Sequence, residues 1–473
     1  MLTPVALLLP TALGYLVVSL LLRSNKEAPA GPLERLCLGY PLGMGLLTLQ
    51  MFLLGLLRVP LTLASITPLI VIEIAALVVL ARRSGVDLLP RPSLGIADEV
   101  RDPSTPLWRK AALVLLLVWV SAKLLSVVYE AALRPIFAWD VWVNWAVGAK
   151  SFFYSRSLLL DAPAADFFGA GAVSRIISYP LNNTLMQVWL ALWAGGFDES
   201  LVKLWSPVLL AAAAGSLYVF ARSGMGRTGA LALVAVFLGA PLLSYHSIEV
   251  YSDLLVGTNL FCALLSFVRV MQGRRSYLPL VGAFAAIALF SKNEAPGFVL
   301  PLMLSAGLWL WSERERQPRV SALFRLTAPL ALVLPWFLFK FAHSLSLTQD
   351  NHALKPAYQA GVADYIAGQL LTLQNFNIIL LALPVLLVIN GRPSKMLLHA
   401  LFPPAFFTLF FVVLYMLIDY YHSTLLMGTI FYRNVLTYYP SLALVTAMVL
   451  GELLAKTAAP EPDPATRRTK RRR

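Results

Sequence analysis

The fold class the sequence predicts is an all-α polytopic membrane protein of about thirteen transmembrane helices. Three observations predict it. Hydrophobic residues make up 59% of the 473 and charged residues 13%, with a mean hydropathy of +0.73; a soluble domain carries about twice that share of charge. The apolar residues fall in runs of about 20, the length that crosses a hydrocarbon core. The formal charge of +14 sits in short Lys/Arg clusters between those runs and forms no basic face, so it reads as topology signal and argues against nucleic acid as a partner.

The first run, Leu2 to Leu22, has no basic residue before it and Arg23 and Lys26 after it, the reverse of a secretory signal. It is expected to remain as a span with its N-terminus outside. Leu36 to Leu57 and Leu61 to Ala81, joined by Arg58-Val59-Pro60, complete a group of three N-terminal spans over residues 1–81. Residues 82–110, rich in Arg, Pro and Asp, form a cytoplasmic polar loop and the clearest internal boundary. A core over 111–455 opens with the span Ala111 to Tyr129 and carries a large first outer loop, 130–200. Within that loop Leu181 to Ala194 is apolar but too short to cross, and Gly195-Gly196 closes it, which suits a juxtamembrane or re-entrant helix. Further spans follow at Leu201 to Ala221, Gly229 to Tyr245, Leu254 to Val270, Leu278 to Phe290, Pro296 to Trp311, Leu326 to Ala342, Ile378 to Ile389, Met396 to Ile418 and Val435 to Leu454. Residues 456–473 form a basic tail expected to stay cytoplasmic.

Alternating the spans places 27 of the 38 Lys and Arg residues in cytoplasmic segments, as the positive-inside rule requires. The same topology gathers unusual polar residues on the outer side: Asp140, Lys150, Arg175, Tyr179, His246, Glu249, Asp253, Lys292, Glu294, His343, Asp350, His352, Asp419, His422 and Arg433. They come from six loops, and the loops of a helical bundle converge over one face. Glu73, in the middle of the third span, is costly there unless it is protonated or paired. Cys37 and Cys262 both lie in apolar runs, far apart, and indicate neither a disulfide framework nor a Cys-based metal site.

The stretch from Trp139 to Leu181 organises the rest. At 100° per residue, Trp142, Trp145, Ala149, Phe152 and Phe153 share one side of a helix, and Asp140, Asn144, Ser151 and Tyr154 share the other. That pattern suits an interfacial helix with its aromatics at headgroup level and a carboxylate and an amide toward water, with Lys150 near the boundary and able to reach a phosphate. The plainer alternative is an aromatic belt with Asp140 as helix N-cap. Ser291-Lys292-Asn293-Glu294 brings a cation, an amide and a carboxylate to the end of a span, where they could also serve only as anchors. His246 to Asp253 reads as a polar hinge, in which Glu249 and Asp253 would share one face if helical. Phe431-Tyr432-Arg433-Asn434 offers a guanidinium suited to bidentate phosphate contact. Walker, GxSxG, HExxH and dinucleotide signatures are missing.

An acid just after a span with aromatic neighbours, a first outer loop closed by Tyr179-Pro180-Leu181, and Lys292-Asn293-Glu294 at a later span end together resemble the GT-C superfamily of integral-membrane glycosyltransferases. The nearest groups are the protein O-mannosyltransferases and the lipid A aminoarabinose transferases. The resemblance covers roughly Ala111 to Tyr439. It implies a GT-C-like core, a polyprenyl-phosphate sugar donor bound at the outer leaflet, and Asp140 as general base for an inverting transfer. It further implies substrate contacts from Asn144, Lys150, Arg175, Tyr179, Glu249, Asp253, Lys292, Glu294 and Arg433. Val141 stands where relatives often carry a second acid, and Tyr179 where they carry a basic residue, which weakens a metal and moves the phosphate contact elsewhere. No cofactor is called for, and a divalent cation stays open. The partners expected are the lipid-linked donor, a glycan, lipid or protein acceptor, and the bilayer. The site would face the extracytoplasmic side of the plasma (inner) membrane. The competing class is a transporter or flippase of a lipid-linked precursor, for which embedded polar residues would also be expected; a non-catalytic scaffold is the third.

Overall fold

The structure is a computed structural model that describes residues 3–23, 30–88, 93–172, 176–313, 319–347, 355–371, 375–376, 378–426, 428 and 430–458. Arg175, Asp350, His352 and the basic tail from 459 onward lie outside the described residues.

The described chain is helical almost throughout. Helices α1 (Thr3–Leu22), α2 (Pro32–Leu56) and α3 (Leu63–Arg83) form the N-terminal group. In α3 the Thr62 hydroxyl accepts from the Ser65 N–H while Ser65 returns the bond, a reciprocal cap that fixes where the helix begins. Helices α1 and α2 touch backbone to backbone: a Cβ on Gly14 would overlap the Gly39 carbonyl oxygen, so only glycine permits this approach. The polar segment holds a short α4 (Ile96–Arg101), clamped by Glu99 between Arg109 at 2.9 Å and Arg227 at 3.1 Å. Then come α5 (Leu107–Leu133), α6 (Trp139–Val141), α7 (Val147–Ser155) and α8 (Asn182–Ala194).

The remaining elements are α9 (Trp205–Leu238), α10 (Pro241–Ile248), α11 (Ser252–Met271), α12 (Leu278–Leu289), α13 (Pro296–Ser312), α14 (Arg319–Thr327), α15 (Leu334–Ala342), α16 (Val362–Leu371), α17 (Ile379–Asn390), α18 (Lys395–Leu417), α19 (Asp419–Leu426) and α20 (Phe431–Ala458). Among the described residues, nine helical segments are long and apolar enough to cross a membrane, and three shorter apolar helices accompany them, at 275–289, 296–312 and 379–390. This is an integral membrane protein. Helix α11 is its axis: every residue is buried, and α9, α12 and α20 pack around it. Helices α3 and α5 bury little of their length and present leucines, valines and isoleucines outward, as lipid-facing spans do.

The helix traced as α9 breaks at Gly226, whose φ of +69° and ψ of 175° glycine adopts readily, so the chain divides there between the spans expected at Leu201–Ala221 and Gly229–Tyr245, the second of which ends at Leu238, before α10. Three expectations change or narrow. Of the two readings of Leu181 to Ala194, juxtamembrane or re-entrant, burial fits the second: 11 of the 13 residues of α8 are buried, and the Trp189 indole donates to the Ala6 carbonyl of α1 at 2.8 Å. The stretch from Trp139 is not one regular helix, because a π-turn over Trp142–Ala146 inserts an extra residue between α6 and α7. The added rotation splits the aromatic stripe: Trp142 stays 39% exposed while Trp145 goes to 1%, and Asn144 turns inward with it. Finally, Glu249 and Asp253 do not share a face. Helix α10 stops at Ile248, Val250 has a φ of +52°, and α11 starts afresh at Ser252.

In α3, Glu73 is held by Gln50, whose amide donates to both carboxyl oxygens at 2.7 and 2.6 Å. A partner from α2 is thus supplied to a mid-span acid.

Candidate functional site

Five side chains from four segments meet at one end of the bundle as an alternating chain of charge. Asp140 of α6 pairs with Arg433 Nη1 from the first turn of α20. Arg433 Nε reaches Asp253 Oδ2 at 3.2 Å, from the first turn of α11. The other oxygen of Asp253 accepts from Lys292 Nζ at 2.8 Å, and that ammonium also faces Glu294 Oε1 at 3.1 Å. Lys292 and Glu294 occupy the short link between α12 and α13.

The fold explains why these residues meet. Each stands where a helix begins or ends at the same end of the bundle, and α11, carrying Asp253, lies against both α12 and α20. Asp253 is fully buried and Lys292 nearly so, whereas Asp140 is 39% exposed, so the chain runs from the core out to solvent. Burial works to lower the Lys292 pKa, but Asp253 and then Glu294 overcome it, and the ammonium is held above its ordinary value. His246 Nδ1 lies 3.8 Å from Asp253, yet burial outweighs that carboxylate and pushes the imidazole down to about 3. Here it is a neutral wall. Tyr251 stacks on His246 at 4.3 Å between ring centroids and supports the Arg433 guanidinium at 5.1 Å, a cation–π contact. Burial raises the Tyr251 phenol well above its usual range.

Two hollows adjoin this cluster. One, of about 300 Å³, is lined by Asn293, Glu294, Phe410, Phe411, Tyr421 and Ile430 among others, and the buried Glu294 Oε2 beside it has no hydrogen-bond partner among the described residues. The other, of about 340 Å³, lies between α13 and α18 and is lined by Leu300, Pro301, Leu304, Phe402, Phe406 and Phe410. Pro296, Gly297 and Phe410 belong to both, so a nearly wholly apolar groove along two spans leads to the charged cluster.

The other expected residues are distributed as follows. Asn144 is buried and accepts from the Ile176 N–H at 3.5 Å, bracing the chain that leads to Tyr179. Tyr179 stacks on Trp145 at 6.0 Å, and Trp145 meets Tyr251 edge-on at 6.3 Å, so the loop's closure packs on the platform under Arg433. Lys150 is half exposed, 3.8 Å from Glu199 and over the Phe197 ring, away from the cluster. Glu249 is turned away from it. It is fully buried, with Oε2 accepting from the N–H groups of Phe137 and Ala138 at 3.1 Å each and Oε1 facing Lys203 at 3.4 Å. It thereby ties the segment before Asp140 to the bundle. His343 packs on Phe339 and Phe167 instead. Among the described residues no three His, Cys, Asp or Glu side chains are grouped as metal ligands.

Sequence reasoning missed Lys203, Tyr251 and Lys340, whose ammonium donates to Asn293 Oδ1 at 2.9 Å. Each is a polar residue at the edge of an apolar run, where it reads as a span end. Only Tyr251, two residues before Asp253 in a polar hinge, carried a local signal.

Residues 180–339, about a third of the chain, match the model of the dolichyl-phosphate-mannose-protein mannosyltransferase family. No curated protein matches the sequence. In structure the chain is similar to ArnT from Cupriavidus metallidurans. Its apo crystal structure superposes with a TM-score of 0.52 at 15% identity, covering 72% of this chain and 60% of that one. The crystal structure bound to undecaprenyl phosphate gives 0.50 at 14% identity, covering 71% and 60%. The likeness is one of fold. The chain spans about three fifths of the length of the ArnT chains it matches. The family match contains Asp253, Lys292 and Glu294 and lies between Asp140 and Arg433, which pair with each other from outside it.

Proposed function

We propose that this protein is a GT-C glycosyltransferase that moves a sugar from a polyprenyl-phosphate donor to an acceptor hydroxyl at the outer membrane–water interface, with inversion. The observation that carries the reading is an apolar groove between two spans that reaches the charged cluster at Glu294, the ion-pair partner of Lys292, with Arg433 next along the chain of charge. A polyprenyl phosphate has that shape and that polarity: a long apolar tail and an anionic head. The likeness to ArnT, solved with undecaprenyl phosphate, supports the same class of lipid here.

In this reading the tail lies between α13 and α18, and the phosphate meets Lys292 and Arg433. These cations stabilise the charge that develops on the leaving phosphate as the anomeric C–O bond breaks. The acceptor oxygen attacks from the opposite face, Asp140 takes its proton, and the polyprenyl phosphate departs with the bonding electron pair. Asp140 suits the base because it is the carboxylate of the cluster most open to solvent, next to the exposed Trp139 and Trp142. The polar residues collect at span ends, which favours chemistry at an interface over passage through the midplane.

The test is turnover by the purified protein in nanodiscs, offered a panel of polyprenyl-phosphate sugars. Asp140→Asn should lose about 10²-fold or more of transfer if the carboxylate is the base, while an N-cap would be served almost as well by Asn. Transfer by Asp140→Asn near the native rate would remove Asp140 from this role.

A further inference from the structure

Arg433 commits two nitrogens of one guanidinium to two carboxylates, Nη1 to Asp140 and Nε to Asp253. Among the described residues, the ion-pair chain from Asp140 to Glu294 holds three carboxylates and two cations, with His246 neutral beside it. A donor phosphate would therefore add an anion to a cluster that already has more carboxylates than cations. Nη2 remains, but the two-nitrogen contact a guanidinium makes with a phosphate pairs Nη2 with either Nη1 or Nε, so one of those carboxylates has to give way for it.

The surroundings of each carboxylate single one out. Asp253 is fully buried and held from its other side by Lys292 at 2.8 Å, so releasing it would strand a charge in the core. Glu294, which is 14% exposed, pairs with Lys292, and its exit would leave Arg433 still holding both aspartates. Asp140 is 39% exposed, and water can solvate it once Arg433 lets go. Arg433 can turn toward the phosphate while Nε keeps Asp253 and Tyr251 keeps the guanidinium plane.

We propose that Asp140 is masked by Arg433 until the donor's own phosphate releases it, so that the base becomes available only after the lipid head is seated. The carboxylate oxygen that faces the guanidinium is occupied by its N–H and is not open to an acceptor hydroxyl, and exchange of partners exposes it. The donor thus binds first and switches on the group that activates the acceptor. This device rests on the proposed function and adds an order of events to it.

A double-mutant cycle on undecaprenyl phosphate binding tests the exchange without relying on turnover. If Asp140 competes with the phosphate for Arg433, Asp140→Asn should tighten binding about tenfold, and Asp140→Ala should do the same. In an Arg433→Gln background the same Asp140 substitutions should change affinity less than threefold, because there is no guanidinium to release. Arg433→Lys serves as a second background that keeps the charge: a single ammonium cannot hold both carboxylates as the fork does, and the coupling should fall there as well. Unchanged or weaker binding by Asp140→Asn, or the same tightening in the Arg433 variants, overturns the exchange. Absence of undecaprenyl phosphate binding by the native protein and by Asp140→Asn alike overturns the donor class, and the exchange with it.

Discussion

Glu249→Gln probes the joint that ties the segment between α5 and α6 to the bundle. Glu249 and Lys203 are both fully buried, 3.4 Å apart, and the same carboxylate accepts from the N–H groups of Phe137 and Ala138, three and two residues before Asp140. Lys203 also donates to the Pro135 carbonyl at 3.1 Å. Replacing the carboxylate by an amide keeps an oxygen for the backbone donors but leaves the ammonium uncompensated, and breaking a buried pair in this way costs about 3–5 kcal/mol. Removing both charges, as Lys203→Met with Glu249→Gln, eliminates the stranded ammonium. What remains lost is the bond to Pro135 and part of the acceptor capacity, about 1–2 kcal/mol. The double variant is therefore expected to be more stable than Glu249→Gln alone. Unfolding by denaturing detergent in mixed micelles, followed on both single variants and the double, measures this. A Glu249→Gln loss under about 1 kcal/mol, or a double loss equal to the sum of the single ones, would refute the reasoning, since coupling is the signature of a shared interaction.

Two further outcomes are expected. Because His246 titrates near 3 when folded and near 6.5 when unfolded, the unfolded chain takes up a proton below pH 6.5 that the native imidazole refuses. Stability should be unaffected by this group above pH 6.5 and should fall by about 1.4 kcal/mol per pH unit below it, down to pH 3. His246→Gln should remove that part of the slope between pH 7 and pH 5, and identical slopes would contradict it. For topology, single cysteines placed at Ala164 and Thr466 in a chain lacking Cys37 and Cys262 should label from opposite sides of the membrane, and labelling of both from one side would displace the proposed outer site.

The fold class was legible because its signal is redundant: hydropathy, run length and basic clusters all describe spans, and the resemblance to GT-C transferases was read from where the acids and Lys292-Asn293-Glu294 stand relative to them. The register within the Trp139 stretch was not legible. A π-turn changes the phase of a helix with no marker residue, so Trp145 and Asn144 were expected at the surface and are buried. The convergence of Asp140, Asp253, Lys292, Glu294 and Arg433 was foreseeable as a shared side of the bundle, but not their pairing. Sequence reading treats Asp140 as a base and Arg433 as a phosphate ligand independently, and only the meeting of α6 with the first turn of α20 shows that they bind each other. Glu249 illustrates the converse. Four residues from Asp253, it reads as that residue's partner, and the break at Val250 sends it to the opposite side of the loop, where Lys203 waits.

The central claim is that a polyprenyl phosphate sits with its head on Lys292 and Arg433 and its tail between α13 and α18. A cryo-EM structure of the protein in nanodiscs with undecaprenyl phosphate tests it most directly. The account predicts density for the phosphate within hydrogen-bonding reach of the Lys292 ammonium and the Arg433 guanidinium, and for isoprene units against Leu300, Phe406 and Phe410. A phosphate bound at the other end of the bundle, near Arg109 and Arg227, with the groove between α13 and α18 filled only by bulk lipid, would contradict it.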